Sequence, residues 1–381
     1  MIVLGLLTLH CMLLLAETSQ KMNGQSFGDL ALSMYGERFR QLVLYSIAVS
    51  QMGFCCAYFI FVGTNLRDLV MILSSCRIVL PDWVFILFQI LVYIPLAWVR
   101  RIKNFGLTAL IADAFILLGL GYIFSYDIFS LSQNGPKDII PWINLQSFPL
   151  FIGTAMFSFE GISLMLPIVQ SMEHPERFSR VLTACLSTVA AIFLTIGSLS
   201  YLSLGTNVET VIFLNLPKST TTTSVQLLYV IAILLSFPLT IYPAIRITEQ
   251  GRLINTGIFG ISTGKQSNFV KWEKNLYRAA LTTFLGVVAW LGSASLDKVV
   301  SVVGCFACIP LSFIYPALLH THVTKSKLVK AKDWVIVVVG TILMVYTTAV
   351  TIREWAANGA PVPPDRCHDA QGRRFLFRSN P

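Results

Sequence analysis

Ten apolar stretches, most of them about 20 residues long, restrict the fold of this sequence more than any other feature. A helix rises about 1.5 Å per residue, so about 20 apolar residues cross the hydrocarbon core of a bilayer. The stretches cover residues 1–16, 41–63, 83–99, 105–125, 148–171, 181–204, 224–244, 276–294, 299–320 and 333–352. Of the 381 residues, 55% are hydrophobic and only 12% are charged, whereas soluble domains average about 25% charged residues. The sequence therefore predicts an all-α polytopic membrane protein with a single transmembrane domain over residues 1–352.

The basic residues predict the orientation of these helices. Five alternate connections carry eighteen Lys and Arg residues, and the four connections between them carry five. By the positive-inside rule the basic connections, beginning with residues 17–40, are cytoplasmic. The start of the chain and the tail at 353–381 then lie on the other side, and the polar, Pro-rich tail is expected to be disordered. The net charge of +9 is therefore explained by basic residues in the cytoplasmic connections of a membrane protein. It does not indicate nucleic-acid binding.

Residues 1–16 have two interpretations. Their length suits the apolar region of a signal peptide, but they lack a basic start and a small-residue cleavage pattern, and they contain His10. We favour the C-terminal part of a membrane helix.

The fifth stretch, residues 148–171, carries the strongest indication of function. Its middle contains helix-weakening and polar residues, namely Gly153, Thr154, Ser158, Glu160 and Gly161. A carboxylate at membrane depth is costly and usually faces a cavity or pathway rather than lipid. The pattern predicts a helix that unwinds here, where freed carbonyls bind an ammonium group and a half-helix N-terminus binds a carboxylate.

Three titratable residues within the apolar stretches are candidates for proton coupling. Glu160 is the first, with a protonated structural hydrogen bond as the alternative. His10 titrates near neutrality, and its alternative is an interhelical hydrogen bond. Asp113 is predicted either to relay protons or to pair with a polar group across the bundle.

Two further groups of residues suit the lining of a pocket. In the second stretch Gln51, Cys55 and Tyr58 recur at helical spacing, although such stripes more often mediate helix packing. Tyr242 lies between two prolines, which indicates either a hinge facing the pathway or a simple kink. The sequence contains no nucleotide-binding or catalytic motif, and its single CxxC lacks a second ligand pair. We therefore expect no enzyme activity, no metal and no cofactor.

Several short strings resemble the amino acid/auxin permease superfamily, in particular its proton-coupled branch and the fungal vacuolar transporters of neutral amino acids. They occur in family order and lie at residues 9–12 (LHCM), 51–59 (QMGFCCAYF), 157–162 (FSFEGI), 214–217 (LNLP), 237–238 with 242–243 (FP, YP) and 308–316 (CIPLSFIYP).

The resemblance implies a LeuT-type bundle of eleven helices, in which two inverted repeats of five helices are followed by one extra helix. Each repeat begins with a broken helix, and substrate binds between the two breaks. Residues 1–16 then match the family's second helix, so that the first is expected to be missing from this chain. The implied substrate-binding residues are Gly153, Thr154, Phe157, Ser158, Phe159, Gly161, Gln51, Cys55, Tyr58 and Tyr242. The implied partners are neutral amino acids, protons and the lipid bilayer, and the implied activity is proton-coupled symport from the vacuolar lumen to the cytosol.

Other activities remain compatible with the sequence. Sodium sites use carbonyls and hydroxyls, so the sequence leaves a sodium-coupled or plasma-membrane permease of the same superfamily as the first alternative. The expected loss of one helix also leaves open an amino-acid sensor or an inactive fragment.

Overall fold

The computed structural model describes residues 1–99, 106–137, 144, 147–250 and 268–358, and every regular element in these ranges is helical. The α-helices are α1 (Ile2–Lys21), α2 (Phe27–Tyr35), α3 (Glu37–Leu73), α4 (Asp82–Ala97), α5 (Gly106–Asn134), α6 (Phe148–Ser158), α7 (Ile162–Ser171), α8 (Phe178–Leu204), α9 (Thr220–Gln250), α10 (Asn268–Leu291), α11 (Leu296–Val303), α12 (Tyr315–Val323) and α13 (Lys327–Asn358). Two π-helical turns, Gly304–Cys308 and Pro310–Ile314, join α11 to α12, and short 3-10 turns lie at Pro175–Arg177, Gly205–Asn207 and Ile212–Asn215.

Each of the ten predicted apolar stretches contains helix. Among the described residues, eight helical segments are long and apolar enough to cross a membrane, and α4 is a shorter apolar helix. In this count α6 with α7 is one segment, and α11 with α12 and the π turns between them is another. This confirms the all-α polytopic class, while the number of spans and the LeuT-type arrangement stay predictions. Helix α1 has 20 residues and continues beyond the predicted end at residue 16. Helix α13 continues to Asn358, and the rest of the predicted tail lies outside the described residues.

Many large apolar side chains are exposed, as expected for helices that contact lipid. Leu107 on α5 is 70% exposed, Leu291 on α10 is 75% exposed and Ile342 on α13 is 64% exposed. Soluble proteins rarely expose long continuous apolar faces. In hydrocarbon these faces carry no cost, because lipid tails are as apolar as the side chains.

The chain forms two compact units. The first contains residues 1–53, 142–195 and 297–359. Within it α1 packs on α12 and α7, while α6 packs on the first π turn and on α13. Two bonds characterise the π turns: Ile309 N–H bonds to the Gly304 carbonyl, and Tyr315 N–H bonds to the Pro310 carbonyl. Pro310, at the start of the second turn, has no N–H to donate.

The second unit contains the described parts of 54–141 and 196–296, so that α3 and α8 each contribute residues to both units. Here α5 packs along α9, and α4 packs on α9 and α10. An aromatic cluster occupies its interior: the rings of Tyr93 and Phe237 stack at 3.7 Å, and Phe59 meets Tyr93 edge-on at 4.7 Å. Helix α9 remains continuous through Pro238 and Pro243.

Candidate functional site

The fifth apolar stretch is interrupted at Phe159–Gly161, between α6 and α7. The Phe159 N–H still bonds to the Ala155 carbonyl at 3.0 Å, and the Glu160 N–H bonds to the Phe157 carbonyl at 3.4 Å. Helix α7 restarts after Gly161, a residue with low helix propensity. The predicted break is therefore present, and it places the C-terminal end of one half-helix next to the N-terminal end of another.

Glu160 is the central polar residue of this break. Its carboxylate lies beside the backbone N–H and the hydroxyl of Ser163, in the first turn of α7, and beside the Gln51 amide. Gln51 Nε2 in turn donates to Ser163 Oγ at 3.3 Å. The second carboxylate oxygen, Oε1, is buried and has no hydrogen-bond partner among the described residues. The N-terminal end of α7 favours the negative charge of the Glu160 carboxylate. Its Oε1 remains able to accept a hydrogen bond from a ligand or to bind a proton.

Gly153 lies within α6, two turns before the break, and its role is close packing. A Cβ at Gly153 would meet the carbonyl and hydroxyl oxygens of Ser301 and lie 2.7 Å from Cys305 Sγ. From the other side, a Cβ at Gly304 would collide with the Gly153 carbonyl. Backbone therefore touches backbone between α6 and the first π turn. The sequence linked Gly153 to unwinding, whereas the structure keeps it helical.

The remaining predicted residues of this stretch have local roles. Thr154 is exposed and its hydroxyl bonds to the Leu150 carbonyl, while Ser158 bonds in the same way to the Thr154 carbonyl. Phe157 is half-buried near the end of α6. Phe159 is buried, with its ring 3.2 Å from the position of a Cβ on Gly5.

Gly161, at the end of the break, has open space where a side chain would lie. The nearest heavy atom to a Cβ built there is Met12 Cε, at 3.9 Å. Met12 is buried on α1, so α1 forms part of the surroundings of the break. The resemblance to the family rested partly on this Met12 segment.

His10 lies on α1, two residues before Met12, and contacts Lys332. The distance between His10 Nε2 and Lys332 Nζ is 2.9 Å. An ammonium group can only donate, so Nε2 is the acceptor and the ring is neutral in this arrangement. Protonation of His10 at Nε2 would break the contact with Lys332. This effect of protonation does not involve Glu160.

A buried histidine–aspartate contact next to this one was not predicted from the sequence. His320 Nδ1 and Asp333 Oδ2 are 2.7 Å apart, and both side chains are almost fully buried. Asp333 is the first residue of the apolar stretch 333–352 and comes directly after a run of lysines. A carboxylate in an apolar stretch was the available signal.

Four further residues that the sequence predicted for the site lie in the second unit, namely Cys55, Tyr58, Tyr242 and Asp113. Cys55 is fully buried on α3, and the half-buried Tyr58 is 3.5 Å from Thr240 Oγ1. Tyr242 carries the guanidinium of Arg246 over its ring at 6.0 Å. Asp113 is exposed on α5, and the predicted polar partner across the bundle is not found within the part of the chain that the structure describes.

The model of the family "Transmembrane amino acid transporter protein" matches residues 1–353. Vacuolar amino acid transporter 3 of Saccharomyces cerevisiae is 41% identical over 361 residues, which are 92% of this chain and 51% of the relative. The protein of the same name from Schizosaccharomyces pombe is 41% identical over 352 residues, again 92% of this chain and 52% of the relative.

More distant similarity extends to plants. Amino acid transporter AVT3C of Arabidopsis thaliana is 28% identical over 378 residues, covering 92% of this chain and 82% of the relative.

The chain spans about half the length of the two fungal relatives named above. The family match covers nearly every described helix, and it confirms the membership that the motifs predicted. The chain belongs to the transmembrane amino acid transporter family.

Proposed function

We propose that the protein is a secondary transporter that carries neutral amino acids together with protons out of the vacuolar lumen into the cytosol. The observation that carries this proposal is the helix break at Phe159–Gly161, with the Glu160 carboxylate at the start of α7 and its Oε1 buried without a partner among the described residues. A buried acceptor of this kind binds a proton or a cationic group, because leaving it unpaired costs free energy.

The geometry of the break suits a zwitterion. The N-terminal end of α7 carries a partial positive charge and the C-terminal end of α6 a partial negative charge, so the two ends complement a carboxylate and an ammonium group. The bond from Gln51 to Ser163 holds the Ser163 hydroxyl beside Glu160. Protonation of Glu160 would therefore change the hydrogen bonds at the same half-helix end that is offered to the substrate.

The membrane and the direction of transport are supported by other observations. The two fungal relatives named above are called vacuolar amino acid transporters. The connections rich in Lys and Arg indicate the cytosolic side of the membrane. A vacuolar lumen is acidic, so a proton moving down its gradient would leave the lumen with the amino acid.

The test is uptake of radiolabelled leucine into proteoliposomes that contain the purified protein and carry an imposed pH gradient. We expect uptake from the acidic side to the neutral side, and no change when sodium is replaced by an inert cation. Glu160→Gln keeps the size of the side chain and resembles the protonated acid, with one accepting oxygen and one donating group, but it carries no charge at any pH. In this variant net uptake driven by the pH gradient should fall to the level of empty liposomes, while exchange of leucine against preloaded leucine should persist.

Glu17→Gln is the matched control. Glu17 is exposed on α1 and pairs with Lys21 at 2.6 Å, an arrangement that contributes about 0–1 kcal/mol. Both activities of this variant should equal those of the unmodified protein. Equal pH-driven uptake by Glu160→Gln and Glu17→Gln would remove Glu160 from coupling. Uptake that requires sodium would refute proton coupling itself.

A further inference from the structure

The proposed transport site leaves one buried titratable pair without a role, namely His320 with Asp333. His320 lies on α12 and is 3% exposed, and Asp333 lies in the second turn of α13 and is fully buried. His320 Nδ1 and Asp333 Oδ2 are 2.7 Å apart, whereas Asp333 Oδ1 is buried and has no hydrogen-bond partner within the described ranges. A carboxylate that is buried and only half satisfied is a costly way to join two helices.

The geometry of the pair determines which nitrogen of His320 can take up a proton. A carboxylate can only accept, so Nδ1 carries the hydrogen that is bonded to Asp333 Oδ2. Nε2 is then the basic nitrogen of the neutral ring. A carboxylate in this position holds the ring in one tautomer and stabilises the imidazolium ion that forms when Nε2 binds a proton. The protonated pair has no net charge, which favours it in a buried place.

A positive charge next to the pair makes release of this proton feasible as well. Lys332 precedes Asp333 on α13, and its ammonium group bonds to His10 Nε2 on α1 at 2.9 Å. This bond keeps the ammonium group beside the pair. There it compensates the Asp333 carboxylate after the ring of His320 has lost its proton.

The other titratable groups around the pair come from α1, α2 and α12. The charge of Asp333 acts on the buried Cys11, and the charge of His320 acts on Glu17. Helix α6 and the two π turns, which also pack on α13, carry no charged side chain. The titratable groups on α2 and at the end of α12 are exposed, namely Asp29, Tyr35 and His322.

The pair lies on the cytosolic side of the first unit and shares a neighbour with the helix break. The lysine-rich segment that precedes Asp333 is cytosolic by the positive-inside rule. On α1, Met12 is the nearest neighbour of the open space at Gly161, and His10, two residues earlier, bonds to Lys332. The same segment of α1 therefore contacts both the break and the surroundings of the pair.

We propose that His320 is a second proton-binding site of the transporter, which takes up the transported proton before the proton enters the cytosol. This inference rests on the proposed proton-coupled transport. The step moves one proton and no electrons: the O–H bond of the Glu160 carboxylic acid breaks and an N–H bond forms at His320 Nε2. Nε2 later gives the proton to cytosolic water. Asp333 is a positioning residue, because it acts through the ring of His320.

Two variants separate proton binding from the structural contact. His320→Asn keeps an N–H that can donate to Asp333 Oδ2 but removes the basic nitrogen. Asp333→Asn keeps an oxygen that accepts from Nδ1 but removes the charge that stabilises the imidazolium ion. The matched control is His174→Asn. His174 Nδ1 lies 3.1 Å from Glu176 Oε1 in an exposed contact of the same kind, on a connection that is also cytosolic by the positive-inside rule.

The first measurement uses the two leucine assays in proteoliposomes. In His320→Asn, net uptake driven by the pH gradient should fall to the level of empty liposomes, while exchange of leucine against preloaded leucine continues at the unmodified rate. In Asp333→Asn, the pH dependence of net uptake should shift to lower pH, because protonating the ring then needs a more acidic solution. His174→Asn should equal the unmodified protein in both assays.

The second measurement is nuclear magnetic resonance of isotope-labelled histidine rings in nanodiscs, which reports proton binding without any flux. The chain has five histidines, and His320→Asn identifies the signals of His320. At about pH 8 the ring should carry its hydrogen on Nδ1 alone. Acidification to about pH 5, across the range in which an imidazole changes charge, should add a hydrogen to Nε2.

Three results would overturn the proposal. The first is a His320 ring whose protonation does not change over this range, and the second is equal pH-driven uptake by His320→Asn and His174→Asn. The third is loss of net uptake and exchange together, which would mean that the pair only joins α12 to α13. Absence of pH-driven uptake by the unmodified protein would instead refute the proposed function, so the two failures are distinguishable.

Discussion

The backbone contact between α6 and the first π turn makes a substitution of Gly304 by alanine informative. A Cβ at Gly304 would overlap the carbonyl group of Gly153 and lie 3.0 Å from the backbone nitrogen of Phe157. Backbone atoms cannot rotate away as a side chain can, so the two segments must separate. Overpacking of a close contact costs about 1–3 kcal/mol, and a clash with backbone belongs at the upper end, about 3 kcal/mol.

Gly197→Ala is the matched control for this prediction. Gly197 lies in α8, and nothing lies within 4 Å of a Cβ built on it. The same chemical change should stabilise this helix by about 0.5–1 kcal/mol, because glycine has the higher conformational entropy in the unfolded chain. The two variants are therefore expected to change stability in opposite directions.

The assay is the apparent midpoint of thermal unfolding in detergent, followed by fluorescence-detected gel filtration at one heating rate. A loss of 1 kcal/mol lowers the midpoint of a large domain by roughly 2 °C, so Gly304→Ala should unfold about 6 °C below the unmodified protein. Gly197→Ala should unfold at the same temperature or slightly above it. Equal midpoints for the two variants would show that α6 and the π turn are not in backbone contact.

Two further predictions concern stability. Arg278→Met should lower the unfolding midpoint strongly, since removing one partner of a buried ion pair costs about 3–5 kcal/mol. Arg278 Nε is 2.7 Å from Glu249 Oε1, and the two side chains are 8% and 11% exposed, so adding Glu249→Leu should restore most of the loss. A double variant no better than the single one would contradict this reasoning. Ser26→Ala should cost about 0.5–2 kcal/mol, because Ser26 Oγ accepts from the Asp29 N–H at the start of α2. The same midpoint measurement tests it, and no shift would mean that this cap does not stabilise the protein.

The break between α6 and α7 shows what could be predicted locally. Glu160 and Gly161 lie in an otherwise apolar stretch, and each disfavours an uninterrupted membrane helix. These are properties of a single segment, so the sequence was sufficient to expect a break here. The position of the break, at Phe159–Gly161, depends on the contacts of α6 and α7 with their neighbours.

The role of Gly153 shows what could not be predicted. Glycine permits both unwinding and close packing, and the two uses have the same local sequence signal. The choice depends on Gly304, which is distant in the chain but adjacent in space. Only the packing of α6 on the π turn distinguishes the two uses.

The amino-acid sequence by itself determined the class of this protein, the places of its apolar helices and its family. The class and the places of the helices follow from how short segments partition between water and hydrocarbon, which depends on composition over about 20 residues. The family follows from the short sequence strings that the chain shares with it. The tertiary structure decided which polar groups meet: His320 with Asp333, and Gln226 with Asp68. Such pairs depend on how helices pack against each other, whether they are consecutive, as for His320 and Asp333, or far apart in the chain, as for Gln226 and Asp68.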